Sequence, residues 1–575
     1  MKKFKQNYLT IFVAAAFILT SCGGINKMKD SATQVSYEVT PNPLEMHAGE
    51  VQLTVQTNFP EKYFNKKAVV VATPFLKYEG GETEFESTTL QGEKVEENNK
   101  VIPFAGGDYT YTGKVPYQDE MMRSELMVKM SARIKDKEPI EIPGVKIADG
   151  IITTPNLVAV NPKAILVGDK FVRITPETYD ADIHYIINKS DVRNSELKAE
   201  DVKVLEEAVK EVKDAERKDV KGAKISSYAS PDGDIEKINK PLSENRGTSA
   251  ERYLKRVLKK AELSEAQEED FLKIVSTPED WEGFKKLMEE SDIQDKELIL
   301  RVLSMYSDPE VREKEIKNIS AAFEEIAEKI LPKLRRSVMT LDVEVTGYSD
   351  EELVDLAKNN PDTLKLEEIL HAAALVEDWN EKLSIYQKAS ENFPKCFRAK
   401  NAVGFANMKL KNYADAQKAF EEAQALKDEN VVKNNLGAAL LAQGDVAKAE
   451  ELFTAAMGAG DEVNYNLGII KIKQGDYKAA VNYFGSKPSF NAALANLLNG
   501  DNDKALSILG ELGDVEWGMV YYLKAVASAR GGQDEGVYNN LRTAVGKKAD
   551  LKAHAVKDIE FAKYASNEAF TSIVE

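Results

Sequence analysis

The chain has 575 residues, 43% hydrophobic and 30% charged, which is the composition of a soluble globular protein and, at this length, of roughly three to five domains. Its 95 acidic against 77 basic residues leave a net charge of −18, which argues against nucleic acid as a partner, because phosphate binding needs a basic surface. Two cysteines exclude a disulfide framework or a zinc cluster, and four scattered histidines (His47, His184, His371 and His554) offer little to a metal or to imidazole catalysis.

Residues 1–22 read MKKFKQNYLTIFVAAAFILTSC. Lys2, Lys3 and Lys5 give a positive start, and the apolar run from Leu9 to Leu19 is too short to span a bilayer of about 30 Å. The run ends in Leu19-Thr20-Ser21-Cys22, which resembles a bacterial lipobox. The resemblance implies a cleaved signal peptide and a lipid on Cys22, with two or three acyl chains at about 0.8 kcal/mol per buried methylene making the anchor effectively permanent. Lipoproteins of Bacteroidota exported to the cell surface usually carry acids directly after the cysteine, whereas Gly23-Gly24-Ile25-Asn26 carries none. The resemblance therefore implies an outer-membrane lipoprotein facing the periplasm.

Residues 23–34 read as a short polar tether. From residue 35 to about 175 the pattern is strand-like. Val51, Leu53 and Val55 alternate with Gln52, Thr54 and Gln56, as a half-buried strand requires, and Gly80-Gly81 and Gly106-Gly107 mark turns. Strands without a helical period predict a β-sandwich.

Residues 178–346 alternate strand and helix. Ile183, Tyr185 and Ile187 alternate as a strand, and Val202, Leu205, Val209 and Val212 form one face of a helix. Residues 224–228 predict a second strand, followed by a turn at 229–233. Ser243 is the expected N-cap of a helix whose apolar stripe is Ala250, Tyr253, Leu254, Val257, Leu258 and Ala261. The run ISSYASPDGDIEKINKPLSENRGTSAERYL resembles the peptidoglycan-binding domain of outer-membrane protein A. That domain has a strand, a Gly-His-Thr-Asp turn, then Asn-x-x-Leu-Ser-x-x-Arg opening a helix. Asn239, Leu242, Ser243 and Arg246 match the second half, and Tyr185, Asn188 and Ser190 stand where the family's first strand begins. Residues 260–330 are expected to be an acidic, mainly helical insertion before the last strand.

A cation in the first turn of a helix faces the positive end of the helix dipole, and an anion there would reverse the sign. The resemblance accordingly implies a peptidoglycan carboxylate at Arg246, with Asn239 and Ser243 beside it. Where the family has the aspartate that holds the ligand's ammonium group, this chain has Ser230, and Asp232 stands two positions later as its substitute. The bland alternative is an arginine that is solvated or paired with Glu244 or Asp232.

Residues 350–575 repeat. Gly404, Ala416, Phe420 and Ala423 stand at spacings of 12, 4 and 3. Gly437, Ala449, Phe453 and Ala456 repeat them 33 residues on, and Gly468, Ala480 and Phe484 again 31 later. This resembles the tetratricopeptide (TPR) repeat, which implies a helical solenoid with a concave groove for a protein or peptide partner. Asn407, Asn434, Asn435, Asn464 and Asn466 lie on the first helices of their repeats and are the candidate groove residues. Whether another chain or this chain's own tether fills the groove stays open at this level.

There is no His-Glu-x-x-His, Gly-x-Ser-x-Gly, Cys-x-x-Cys or phosphate-binding Gly-rich motif, so no catalytic residue, metal or cofactor is assigned. The expectation is a multidomain α+β chain: an N-terminal β-sandwich, an OmpA-like α/β domain with a helical insertion, and a C-terminal α-helical TPR solenoid. It would tether the outer membrane to peptidoglycan and scaffold a protein partner. The alternative is an accessory subunit of an outer-membrane assembly or secretion complex whose OmpA-like module binds no peptidoglycan.

Overall fold

The alternation seen from residue 35 onward becomes two sheets. Our computed structural model describes residues 25–263, 266, 268 and 270–575, so the signal peptide and Cys22 lie outside the described residues. Strands β1 (Ser36–Thr40), β2 (Met46–His47), β3 (Glu50–Phe59) and β8 (Gly107–Pro116) make one sheet, centred on β3. The other holds β4 (Ala68–Tyr78), β5 (Gly81–Glu84), β6 (Thr88–Gly92), β7 (Lys100–Ile102), β9 (Ser124–Ile134) and β10 (Ile140–Gly150). Val51, Leu53 and Val55 are buried while Gln52 and Gln56 face water, so β3 presents one apolar face. Val39, Leu53 and Val55 from the first sheet meet Leu76, Leu126 and Ala148 from the second, as in a sandwich.

Two boundaries of this domain differ from the expected ones. The expected tether at 23–34 is part of the core from Ile25 onward, because Ile25, Met28 and Ala32 pack with Phe64, Val70 and Met130. Three apolar residues at helical spacing gain more from burial than from solvation as a linker. The sandwich also ends at Gly150 rather than near 175. Ile152 still pairs with the sandwich at Leu44 and Met46, but Pro155 and Pro162 supply no N–H for a ladder, and beyond Ile152 the segment leaves the sheets.

The chain divides into two units: one runs to Gly168 and resumes at Glu377, and the other is Asp169–Val376. In the second unit β11 (Ile174–His184), β12 (Lys218–Tyr228), β13 (Leu272–Thr277) and β14 (Arg336–Thr346) form a sheet of order β11-β14-β12-β13. β12 and β13 run parallel, and the other neighbours are antiparallel. Helices Glu200–Asp214 and Lys240–Lys260 bury the expected stripes, Val202, Leu205, Val209 and Val212 in one and Ala250, Tyr253, Leu254 and Leu258 in the other, against this sheet.

The insertion expected at 260–330 is thus not wholly helical, since β13 lies inside it. β13 is an edge strand bonded on one side only, with Ile274 and Val275 40% and 47% exposed, so it leaves no clean alternation to read. The helices from Trp281 to Leu334 gather their own core around Phe284, Met288, Ile299 and Ile326. The start of the repeats moves as well. Helices Asp350–Asn359 and Leu366–Leu375 belong to the second unit, held by Arg217 to Glu352 at 2.6 Å and by His371 stacked on Phe171 at 4.5 Å.

From Trp379 to the C-terminus the first unit is a stack of antiparallel helix pairs. The recurring glycine and phenylalanine meet in the stack. A Cβ added at Gly404, Gly437 or Gly468 would stand 2.5, 2.8 or 2.6 Å from the ring of Phe420, Phe453 or Phe484. Carbon atoms pack best at about 3.5–4.0 Å, so each ring occupies space that only glycine leaves. Gly437→Ala is therefore expected to overpack the stack by about 1–3 kcal/mol and to lower Tm by several degrees in calorimetry. An unchanged Tm would mean that the Phe453 ring yields without cost.

Candidate functional site

In an extended backbone the N–H and C=O of one residue point to the same side, and the next residue's point to the other. A primary amide carries one acceptor oxygen and a donor NH2, so a single asparagine can answer both groups of one residue. The groove of the repeat stack uses this match on residues 159–165 of the same chain. Asn491 Oδ1 accepts from the Ala159 N–H at 2.9 Å while its Nδ2 donates to the Ala159 carbonyl at 2.8 Å. Asn466 does the same to Lys163 at 2.7 and 2.9 Å, and Asn435 to Ile165 at 2.6 and 2.7 Å. Asn434 donates to the Lys163 carbonyl at 3.1 Å and Asn401 to that of Ile165 at 3.2 Å.

The amides also bond to one another, Asn435 to Asn401 at 2.7 Å and Asn466 to Asn434 at 3.0 Å, so a continuous ladder lies beneath the strap. All five are buried, where an unpaired amide would cost about 1–3 kcal/mol, and the strap backbone is what completes their bonding. Before the ladder, Thr154 bonds to Glu560, which is paired with Arg530 at 3.0 Å. Beside them Asp558 accepts from the Tyr522 hydroxyl at 2.6 Å, and burial pushes its carboxyl up to about 6. From the sandwich, His47 reaches the Tyr477 hydroxyl at 2.9 Å.

Three of the five candidate groove residues, Asn434, Asn435 and Asn466, therefore do hold an extended backbone. The segment they hold is this chain's own strap and not a separate peptide, which corrects the expected use of this part of the groove. Asn407 is outside the ladder, donating to the Val403 carbonyl of its own helix at 3.0 Å. Asn464 is also outside it, half-buried on the wall of a cavity beside Lys163. Asn401 and Asn491 were missed. Their signal is positional: Asn435, Asn466 and Asn491 each precede the small residue of their repeat (Gly437, Gly468 and Ala493) by two, and Asn401 and Asn434 precede Gly404 and Gly437 by three.

The second candidate site is in the other unit. Helix Lys240–Lys260 begins before Ser243, after a π-helical turn at Ile235–Asn239 that Asp234 caps by accepting from the Lys237 N–H at 2.8 Å. Pro241 suits a first helical turn, where its missing N–H would have no partner anyway. Ser243 is consequently not the N-cap; its hydroxyl donates to the Lys240 carbonyl at 2.9 Å. Arg246 falls in the second turn, beyond the main reach of the dipole argument.

Arg246 is fully buried, and its partners are carbonyls: Nε donates to Lys189 at 3.1 Å, Nη1 to Tyr228 at 2.8 Å and Nη2 to Ile186 at 3.5 Å. Asn188, at φ 57°, bends the loop that offers two of these carbonyls, and the Tyr185 ring lies 5.2 Å from the guanidinium. Loss of hydration pushes its pKa down to about 10. It is neither solvated nor paired with Glu244 or Asp232. Ser230 and Asp232 come together, with the Ser230 hydroxyl donating to Asp232, but their cation is Arg335. That residue donates to Ser230 Oγ at 3.1 Å and to Asp232 at 3.2 Å. Asn239 ties the turn, donating to the Gly233 carbonyl at 2.9 Å and to Glu279 at 3.3 Å. Arg335 went unassigned in the sequence, where only its place just before the last strand marks it.

Among the described residues no three His, Cys, Asp or Glu side chains come together as a metal site, and no helix is long and apolar enough to cross a membrane. The ladder is the arrangement that can be tested directly. Asn466→Ala is expected to expose the Lys163 N–H to amide exchange about ten- to a hundredfold faster, the equivalent of about 1–3 kcal/mol. Asn464→Ala, outside the ladder, leaves that rate unchanged.

Residues 461–485 match the family model of the tetratricopeptide repeat. No curated protein matches the chain. Among solved structures it is similar to the APC/C hetero-tetramer Cut9–Hcn1, at 13% identity over 51% of this chain and 58% of that one, with a TM-score of 0.32. The chain thus spans little more than half of that relative. Pseudomonas aeruginosa pilF is similar at 15% identity over 38% of this chain and 99% of that one, TM-score 0.28. Yeast Tom70 is similar at 14% identity over 49% and 67%, TM-score 0.26. The C-terminal region of this chain carries a tetratricopeptide repeat within a helical repeat array.

Proposed function

We propose that the chain is a non-enzymatic scaffold, anchored by a lipid on Cys22 to the outer membrane and facing the periplasm, whose repeat array recruits another protein. The observation that carries this reading is the strap-braced stack. Its five buried ladder asparagines are committed to the strap, which leaves the outward surface of the repeats for a partner. The anchor and the compartment rest on the lipobox resemblance of residues 19–22 and on the residues after Cys22. Rigidity suits recruitment, because a surface already ordered loses little entropy when a partner docks.

For the module at 169–376 the geometry favours the use without wall contact. All three of the Arg246 nitrogens that could meet a carboxylate already donate to carbonyls, and Asp232 is paired with Arg335. The resemblance of Asn239, Leu242, Ser243 and Arg246 to the peptidoglycan-binding family supports the module's ancestry in that fold. A wall tether is the reading it would otherwise carry.

Two measurements test these readings. A photo-crosslinking residue placed at the exposed Leu426 or Met457 of the repeats is expected to give a discrete protein adduct in cells. Adducts at neither position would remove the scaffold. Residues 23–575 mixed with purified sacculi are expected to stay in the supernatant. Sedimentation with the wall that Arg246→Ala abolishes would restore the peptidoglycan tether.

A further inference from the structure

The ladder uses one edge of the strap and leaves the other. Lys163 and Ile165 turn their N–H and C=O groups to the asparagines, so Ala164 between them and Leu166 after them turn theirs the opposite way. A cavity of about 560 Å3 is lined by residues 161–166 of the strap and by the end of one repeat hairpin. Its wall on the repeat side is apolar, from Phe405, Met408 and Tyr413, and is ringed by Lys409 and Lys411, with Lys163 contributed by the strap. Against these three lysines the lining holds a single carboxylate, Glu462, in a chain of net charge −18. Lys163 lies 4.0 Å from the Tyr465 ring, and Lys409 5.2 Å from that of Phe405.

We propose that this cavity is a docking site for an extended acidic segment of a partner protein, which adds as a strand along the open edge of the strap. The strap would then face two ways, held by side-chain amides on one edge and reading a partner's backbone on the other. Main-chain bonds to Ala164 and Leu166 supply register, as in strand addition to a sheet edge. Carboxylates on the added strand meet Lys163, Lys409 and Lys411, and alternate apolar side chains meet Phe405, Met408 and Tyr413. Pro162 supplies no N–H, which limits the edge to the strap's C-terminal half. The proposal deepens the scaffold reading and rests on it, by naming where the partner binds and its chemistry.

The probe is an eight-residue peptide alternating glutamate and valine, fluorescently labelled, titrated into residues 23–575 beside its lysine–valine counterpart. The glutamate peptide is expected to bind at least tenfold more tightly than the lysine peptide, and Lys409→Glu with Lys411→Glu to weaken it at least tenfold. Ala164→Pro removes a strap N–H that the ladder does not use, and is expected to weaken binding several-fold while leaving the slow amide exchange of Lys163 intact. Equal binding of the two peptides, or no binding of either, overturns the site. Full binding by the Ala164→Pro chain overturns the strand addition. If the glutamate peptide does not bind while the crosslink at Leu426 or Met457 persists, the site is wrong and the scaffold stands.

Discussion

After Ile152, the last residue paired to the sandwich, the chain crosses a helical groove where no neighbouring strand satisfies its backbone. Every buried N–H and C=O must still find a partner, and the asparagine ladder is how this chain meets that demand. Apart from Asn491, which also reaches the Asn161 side chain, the amides meet the strap only through its backbone, so they constrain its conformation more than its sequence. They also need that backbone themselves, since five buried amides without it would form a costly polar seam. Groove and strap are therefore one structural element made from two distant parts of the chain.

Covalent connection decides who occupies this part of the groove. A short flexible connection gives a tethered segment an effective concentration on the order of 1 mM. A separate peptide with the same backbone contacts, present at about 1 µM, competes at a disadvantage of about a thousandfold. A partner has to bring contacts that the strap does not already make, or bind where the strap does not lie. This is why the charged and apolar wall beside the strap carries more functional meaning than the asparagines themselves.

The repeats were legible in the sequence because their defining contact is local. Gly404 meets Phe420 sixteen residues on, and the pair recurs at Gly437 with Phe453 and Gly468 with Phe484. The ladder was half legible. Asn434, Asn435 and Asn466 drew notice as polar residues on inner helices, but their partners lie about 270–300 residues away, and only their place two or three residues before the repeat's glycine separates them from Asn407 and Asn464. β13 was hidden for another reason: an edge strand with both faces part-exposed has no period to detect. The short helical start at Ile25 was masked by its polar neighbours, since two or three buried side chains make a weak pattern.

Arg246 shows where a motif stops informing. Spacing places the arginine on the correct helix but says nothing of what surrounds the guanidinium, and loops decide that. Here the bend at Asn188 brings the Ile186 and Lys189 carbonyls onto it, and the end of β12 brings that of Tyr228. A buried cation is tolerated when its N–H groups are answered, and once they are, moving it to meet a carboxylate means leaving those carbonyls unpaired. Asp232 is committed in the same way, to Arg335 and Ser230. What excludes an external carboxylate is burial: Arg246 has no exposed surface and each of its nitrogens holds a carbonyl, so here it and Asp232 act as internal braces. What surrounds the guanidinium and Asp232 is set by the loop at Asn188 and by Arg335, just before the last strand, neither of which lies within the sequence run around Arg246.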